Sequence, residues 1–154
     1  MHNLGYAVKV MRLTATGVAS AGQTKIASTA VDTLGYDGVM FLPISGTIAA
    51  TATPAIIVQS DTVNTFDSGT ESDLTGATLS LVTGDSDSPL MIDVVEMPER
   101  YVRLLFDRSI VAADSDFEDT FTVLLYRNRL QPITNANGLV VASPAKADSL
   151  TAAT

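Results

Sequence analysis

Few residues of this chain have the types and spacing that catalysis or ligand capture would need. The one histidine, His2, is the second residue. A serine–histidine hydrolase holds its base against the nucleophile, and a residue at the extreme end of a chain is poorly placed for that. No Gly-x-Ser-x-Gly elbow occurs. Neither a Gly-x-x-x-x-Gly-Lys-Ser/Thr loop nor a Gly-x-Gly-x-x-Gly turn is present, which removes nucleotide binding by those motifs. The absence of cysteine removes disulfides, thiolate metal ligation and thiol nucleophiles.

Paired carboxylates are the catalytic pair of glycoside hydrolysis. With 17 acids in the chain some pair always fits, so the pattern carries no weight. Asp114-Ser115-Asp116-Phe117-Glu118-Asp119 opens like a calcium loop but lacks the glycine at its sixth position and the distal glutamate. Asp85-Ser86-Asp87 is a shorter version. Both read first as solvated turns, with weak cation binding at Asp85/Asp87 or Asp114/Asp116 as the alternative. Arg100, Arg103 and Arg108 would suit an anion, yet Asp93, Glu96, Glu99 and Asp107 lie close by in sequence, and internal pairing is the expectation. Arg127 and Arg129 have fewer acids around them and suit pairing between subunits. No catalytic residue, cofactor or metal site emerges, and the chain does not read as an enzyme.

The elements that carry these residues read as all-β. Apolar, β-branched runs alternate with Gly, Pro, Ser, Thr and Asp clusters at the spacing of a sandwich or barrel. Strands are expected at Val8–Leu13, Lys25–Val31, Gly38–Ile44, Ala55–Ser60, Thr78–Thr83, Leu90–Met97, Tyr101–Asp107 and Thr120–Arg127. Only Glu71–Leu74 looks like a short helical turn. The fold expected is an antiparallel β-sandwich of about eight strands with extended arms. Residues 1–22 form an N-terminal arm and first strand, 23–129 the core, and 130–154 a C-terminal arm.

Leu90–Asp107 is the most explicit piece. A three-residue loop at Met97-Pro98-Glu99 would pair Val94 with Val102, Asp93 with Arg103 and Ile92 with Leu104. One face is then wholly apolar, and a complementary charge pair lies on the other. Against it, such a loop usually has a glycine at its left-handed position, and none is present. The second face carries Met91, Val95, Tyr101 and Leu105, too apolar for open solvent. Leu124 and Tyr126 stand on the outer side of the last strand. A cover is expected, from an arm or from another subunit. The candidate interface residues are Tyr6, Val8, Val10, Met91, Val95, Tyr101, Leu105, Arg127 and Arg129, with the anchor Leu139, Val140 and Val141 in the C-terminal tail.

Charge excludes some partners. The formal charge is −8, with ten of the acids between residues 51 and 110. A duplex nucleic-acid binder needs a basic face, and so does a protein held on anionic lipid. No apolar run is long enough for a membrane-spanning helix. The stretch from Leu13 to Ala21 is too weakly apolar for a signal peptide. Aromatic platforms for sugars are thin, with no tryptophan.

Three segments together carry a resemblance: Leu4-Gly5-Tyr6, Ala30-Val31-Asp32-Thr33-Leu34-Gly35-Tyr36-Asp37-Gly38-Val39, and Pro98-Glu99-Arg100-Tyr101-Val102-Arg103-Leu104-Leu105-Phe106-Asp107-Arg108. In these and in its layout over residues 4–145 the chain resembles the capsid cement and head decoration proteins of tailed bacteriophages. The resemblance implies a compact β-sandwich, often a jelly roll. It implies a homodimer or homotrimer on the outer capsid surface, with the major capsid protein as partner. It also implies assembly in the host cytoplasm, with no catalytic residue, nucleic acid, membrane or small-molecule substrate. Two other readings stand beside it: a tail or head–tail connector component, and a ligand- or carbohydrate-binding sandwich.

Overall fold

The computed structural model describes residues 8–15, 25–49, 52–66, 70–108 and 115–128. Among the described residues eleven strands run in chain order: β1 (Lys9–Thr14), β2 (Lys25–Ala27), β3 (Val31–Asp32), β4 (Tyr36–Leu42), β5 (Ser45–Ile48), β6 (Ala55–Asp61), β7 (Ser72–Ser80), β8 (Ile92–Val95), β9 (Tyr101–Asp107), β10 (Ser115–Phe117) and β11 (Thr120–Asn128). One sheet has the order β1-β11-β4-β8. A second has β2-β9-β6-β7, with β3 also on β9. All pairings are antiparallel, and β5 and β10 form a separate ribbon. The fold is the expected all-β sandwich.

The strands nest. β1 pairs with β11, β2 with β9, β4 with β8 and β6 with β7, so early strands meet late ones around the central β6–β7 hairpin. Alternation explains why each strand sits where it does. Successive side chains face opposite ways, and directly opposed residues share a face. Leu13, Val39, Phe41, Ile92, Val94, Phe121, Val123 and Leu125 point inward from the first sheet. Ile26, Val31, Ile56, Val58, Val102, Leu104 and Phe106 do so from the second, and all join one core. At about 25 cal/mol per Å² of apolar surface, this shared layer is the main source of stability. Phe117 of the ribbon closes one end of it, with its ring 4.9 Å from that of Phe106.

The expected hairpin of Leu90–Asp107 does not form. β8 pairs with β4 and β9 pairs with β6, so the chain crosses between sheets over residues 96–100. Inward and outward residues are as expected, because both strands turn their apolar sides to the same core. Asp93 and Arg103 therefore lie on opposite outsides of the sandwich and are not paired. Glu96, with φ 59°, takes the left-handed position at the start of this crossing, and its N–H donates to the Asp37 carbonyl at 2.9 Å. The turn expected at Glu71–Leu74 is instead the start of β7. β5 and β10 lie outside the expected strands: each is too short for its period to show.

Arg100 and Arg108 do pair internally, but with acids outside Leu90–Asp107. Arg100 holds Asp32 through two hydrogen bonds of 2.9 and 2.6 Å. Arg108, fully buried, meets Asp116 at 2.9 Å. Asp107 instead bridges to Lys25 across β9 and β2, at 3.4 Å.

Candidate functional site

The two outer faces of the sandwich differ in how they are covered. On the five-stranded sheet the outward residues of β9 are Tyr101, Arg103, Leu105 and Asp107, all half-buried. Leu105 sits between Ile57 and Ala27, and Tyr101 between Asp61 and Asp32. The loop after β6 folds back over this face. Its Phe66 is buried, with the Arg103 guanidinium 4.2 Å from the ring centroid. Arg103 Nε donates to Gln59 Oε1 at 2.9 Å, and Gln59 Nε2 donates to Asp73 Oδ1 at 2.8 Å. A polar chain thus runs across β9, β6 and β7.

Asp61 fastens that loop. Its carboxylate is buried and accepts from the Val63 N–H at 3.2 Å and the Thr70 hydroxyl at 2.9 Å. Burial alone would raise its pKa. The hydrogen bonds from Thr70, Val63 and Thr62 outweigh that and hold the carboxyl below its ordinary value. Part of the cover expected for this face is therefore supplied by the chain's own loop, over Arg103.

The four-stranded sheet is different. Its outer face carries Val10 opposite Leu124, Leu124 opposite Met40, and Met40 opposite Asp93. Gly38 lies between Tyr126 and Val95. The Ile44–Pro89 bridge continues the β4–β8 register and brackets Leu42 and Met91 on the same face. An apolar stripe thus runs the length of β4, and Met91 (62%), Val95 (47%) and Ile44 (42%) are exposed along it. A groove of about 380 Å³ lies at one end, lined by Val8, Met40, Asp93, Val95, Leu124, Tyr126 and Arg127.

Tyr126 organises this groove. Its ring lies over Gly38, where a Cβ would overlap ring carbons, and its hydroxyl donates to Asp93 Oδ1. The glycine lets the aromatic ring cross β4 and reach β8, which covers the bare backbone. Burial, reinforced by the carboxylate at its hydroxyl, pushes the Tyr126 phenol up to about 12. The only carboxylate among the described residues lining the groove is thereby engaged, leaving the rest of that lining mainly aliphatic.

Of the expected interface residues, Val8, Val10, Met91, Val95 and Arg127 lie on or at this face. Tyr101 and Leu105 lie on the opposite side of the sandwich. Tyr6, Arg129, Leu139, Val140 and Val141 fall outside the described residues. Met40 and Gly38 complete the face and went unnoticed in the sequence, although strict alternation of Gly38, Met40 and Leu42 with Val39 and Phe41 was a usable signal.

The acidic turns come together elsewhere. Asp87, Asp116, Glu118 and Asp119 line a cleft of about 300 Å³ with Gly46, Thr47 and Phe117. Asp116 is committed to Arg108, and Asp85 accepts from the Val82 N–H at 2.9 Å. Among the described residues no group of three or more histidine or acidic side chains is arranged to hold a metal ion. No protein-family model matches the chain, and no curated protein matches it.

Proposed function

We propose that this protein is a structural component of a tailed-phage virion that binds the outside of the capsid as a homo-oligomer and stabilises the shell. The observation that carries this reading is the apolar outer face of the four-stranded sheet. An apolar stripe with Met91, Val95 and Ile44 exposed along it, on a protein of net charge −8, suits an adhesive surface. The strand order supports the finer reading as a jelly roll: four nested antiparallel pairs are rolled into the layers β1-β11-β4-β8 and β2-β9-β6-β7, the arrangement of that fold, with the short β3 added on β9.

The mechanism is physical. An oligomer placed over a junction contacts several shell subunits. Each contact is weak, but holding one raises the effective concentration for the next, so avidity exceeds single-contact affinity by ~10²–10⁴. Burying the stripe against copies and shell removes its apolar area from water.

The test is co-sedimentation with shells of the coat protein encoded in the same genome, together with light scattering of the free protein. Saturable binding by an oligomer, lost in Val95→Asp with the β spectrum unchanged, is the expected result. A monomer that ignores the shells at every concentration would overturn the proposal.

A further inference from the structure

The four-stranded sheet has an open edge beside its apolar face. β8 is its last strand and pairs only with β4. The Leu90 N–H donates to the Pro43 carbonyl and the Glu96 N–H to the Asp37 carbonyl, each at 2.9 Å. In an antiparallel ladder, residues bonded to the neighbouring strand alternate with residues turned away from it. Ile92 and Val94 therefore face β4 with their backbone groups, and Met91, Asp93 and Val95 hold theirs out along the edge. No further strand lies there among the described residues.

A bare edge invites another strand, and proteins usually blunt theirs. β7, the last strand of the other sheet, shows how. Ile57 pairs with Thr78 but Gln59 with Asp73, so five residue steps on β7 oppose two on β6, and Gly76 takes φ 81°. Such a bulge bends an edge away from a partner. Between Met91 and Val95 there is no bulge, glycine, proline or lysine. Pro89 and the left-handed Glu96 bound the open stretch at its two ends. Its one charged side chain, Asp93, is engaged by the Tyr126 hydroxyl.

We infer that β8 pairs antiparallel with β8 of a second copy, joining the two four-stranded sheets into one across a two-fold axis at Val94. A strand edge is self-complementary under such an axis, because each N–H meets a carbonyl of its own kind of strand. Centring on Val94 sets Asp93 of each copy against Val95 of the other. Centring on Asp93 would put the two carboxylates face to face, which is unfavourable. Centring on Ile92 would put Val95 against Pro89, which has no N–H to give.

The area suits a second copy. β7 and β8 lie side by side on this flank, with a cleft of about 230 Å³ between them lined by Ala77, Leu79 and Met91 among others. Nine residues of β7 and the depth of two layers make the flank ~30 Å by ~20 Å, near 600 Å². Two flanks bury ~1,200 Å², where specific association begins. The outer apolar face of one sheet, roughly 14 by 20 Å, is only about 300 Å². Edge-to-edge pairing makes two such faces continuous and leaves them open to the shell. The inference thus deepens the proposed function and rests on it: the edge holds the copy, and the joined faces hold the shell.

Residue-resolved hydrogen exchange on the full-length protein tests the pairing. The Ile92 and Val94 amides are bonded to β4 and should be protected at every concentration. The Asp93 and Val95 amides should exchange about ten-fold or more slowly once sedimentation equilibrium shows the dimer. Val95→Pro removes the outward N–H and keeps every β4–β8 bond, so it should weaken the dimer about ten-fold or more with the β spectrum unchanged. An oligomer whose Asp93 and Val95 amides stay unprotected, or a Val95→Pro protein that dimerises as tightly as the native one, would overturn the inference. If that oligomer still binds shells, the adhesive face stands without the paired edge. Protection of the two amides only on shells, with the free protein monomeric, would give the edge to a strand of the shell subunit and likewise overturn pairing between copies.

Discussion

The ring of Tyr126 rests on the backbone of Gly38, on the outer face of the four-stranded sheet. Alanine at 38 would normally be gained at little cost in a strand. Here its Cβ enters the ring, and the neighbouring Asp93 bond keeps the ring from moving freely aside. Gly38→Ala should lower stability by about 1–3 kcal/mol, read from urea unfolding midpoints. The double variant Gly38→Ala/Tyr126→Ala should recover part of that loss, because the clash is gone.

The same tyrosine sets an alkaline limit. Its pKa is raised from 10.0 to about 12 in the folded protein, chiefly by burial and then by Asp93. A group whose folded pKa is raised contributes stability that is fully present below its unfolded pKa and lost as pH rises through the folded one. The contribution from Tyr126 should therefore fade between about pH 10 and 12. The difference in melting temperature between the native protein and Tyr126→Phe should be flat below pH 9 and change over that interval. A constant difference up to pH 12 would refute the assignment.

Two carboxylates set the acid limit. Asp32 is held below its ordinary pKa first by the hydrogen bond from Arg100, against its own desolvation. Asp61 is held down by Thr70, Val63 and Thr62, which outweigh the larger single effect of burial. Depressed carboxyls contribute stability present above the unfolded value, and that stability is lost as pH falls below it through the folded pKa. Acid loosening should start below about pH 4. Hydrogen exchange should show the loop following Asp61 opening first, and Asp61→Asn should open it already at pH 7.

Arg108 is buried and Asp116 is about half exposed, 2.9 Å apart. Removing the acid leaves a buried cation with one partner fewer. Asp116→Ala should cost roughly 2 kcal/mol, less than is usual for a broken buried pair, because water reaches Asp116. Arg108→Met with Asp116→Ala should be closer to native than Asp116→Ala alone. Urea unfolding of the three proteins checks the order.

Val95 and Leu105 separate the two outer faces. Val95 is exposed on the four-stranded sheet, and Val95→Asp should change folding stability by less than about 0.5 kcal/mol while reducing assembly. Leu105 is half-buried between Ile57 and Ala27, and Leu105→Asp should cost about 1–3 kcal/mol. Thermal melts and light scattering on both variants test this contrast.

Much of the fold was legible in the order of residues alone. Alternation in Val39/Phe41, Ile92/Val94, Val102/Leu104/Phe106 and Val123/Leu125 determined the all-β class and assigned the core side of each strand, because a strand's side-chain period is local. The apolar outer face was legible for the same reason: Leu124, Tyr126, Met91 and Val95 stand on the wrong side for solvent. Pairing was decided only by the tertiary structure. Two strands that both turn apolar sides to one core look the same in sequence whether they adjoin in one sheet or face each other from two, so β8 and β9 read as a hairpin and proved to belong to different layers. The missing glycine after Val95 was the one local hint. Long-range geometry also decided the partners of Arg100 and Arg103, and the folding of Phe66 over Arg103. Contacts between residues tens of positions apart depend on how the layers stack, which no local period encodes.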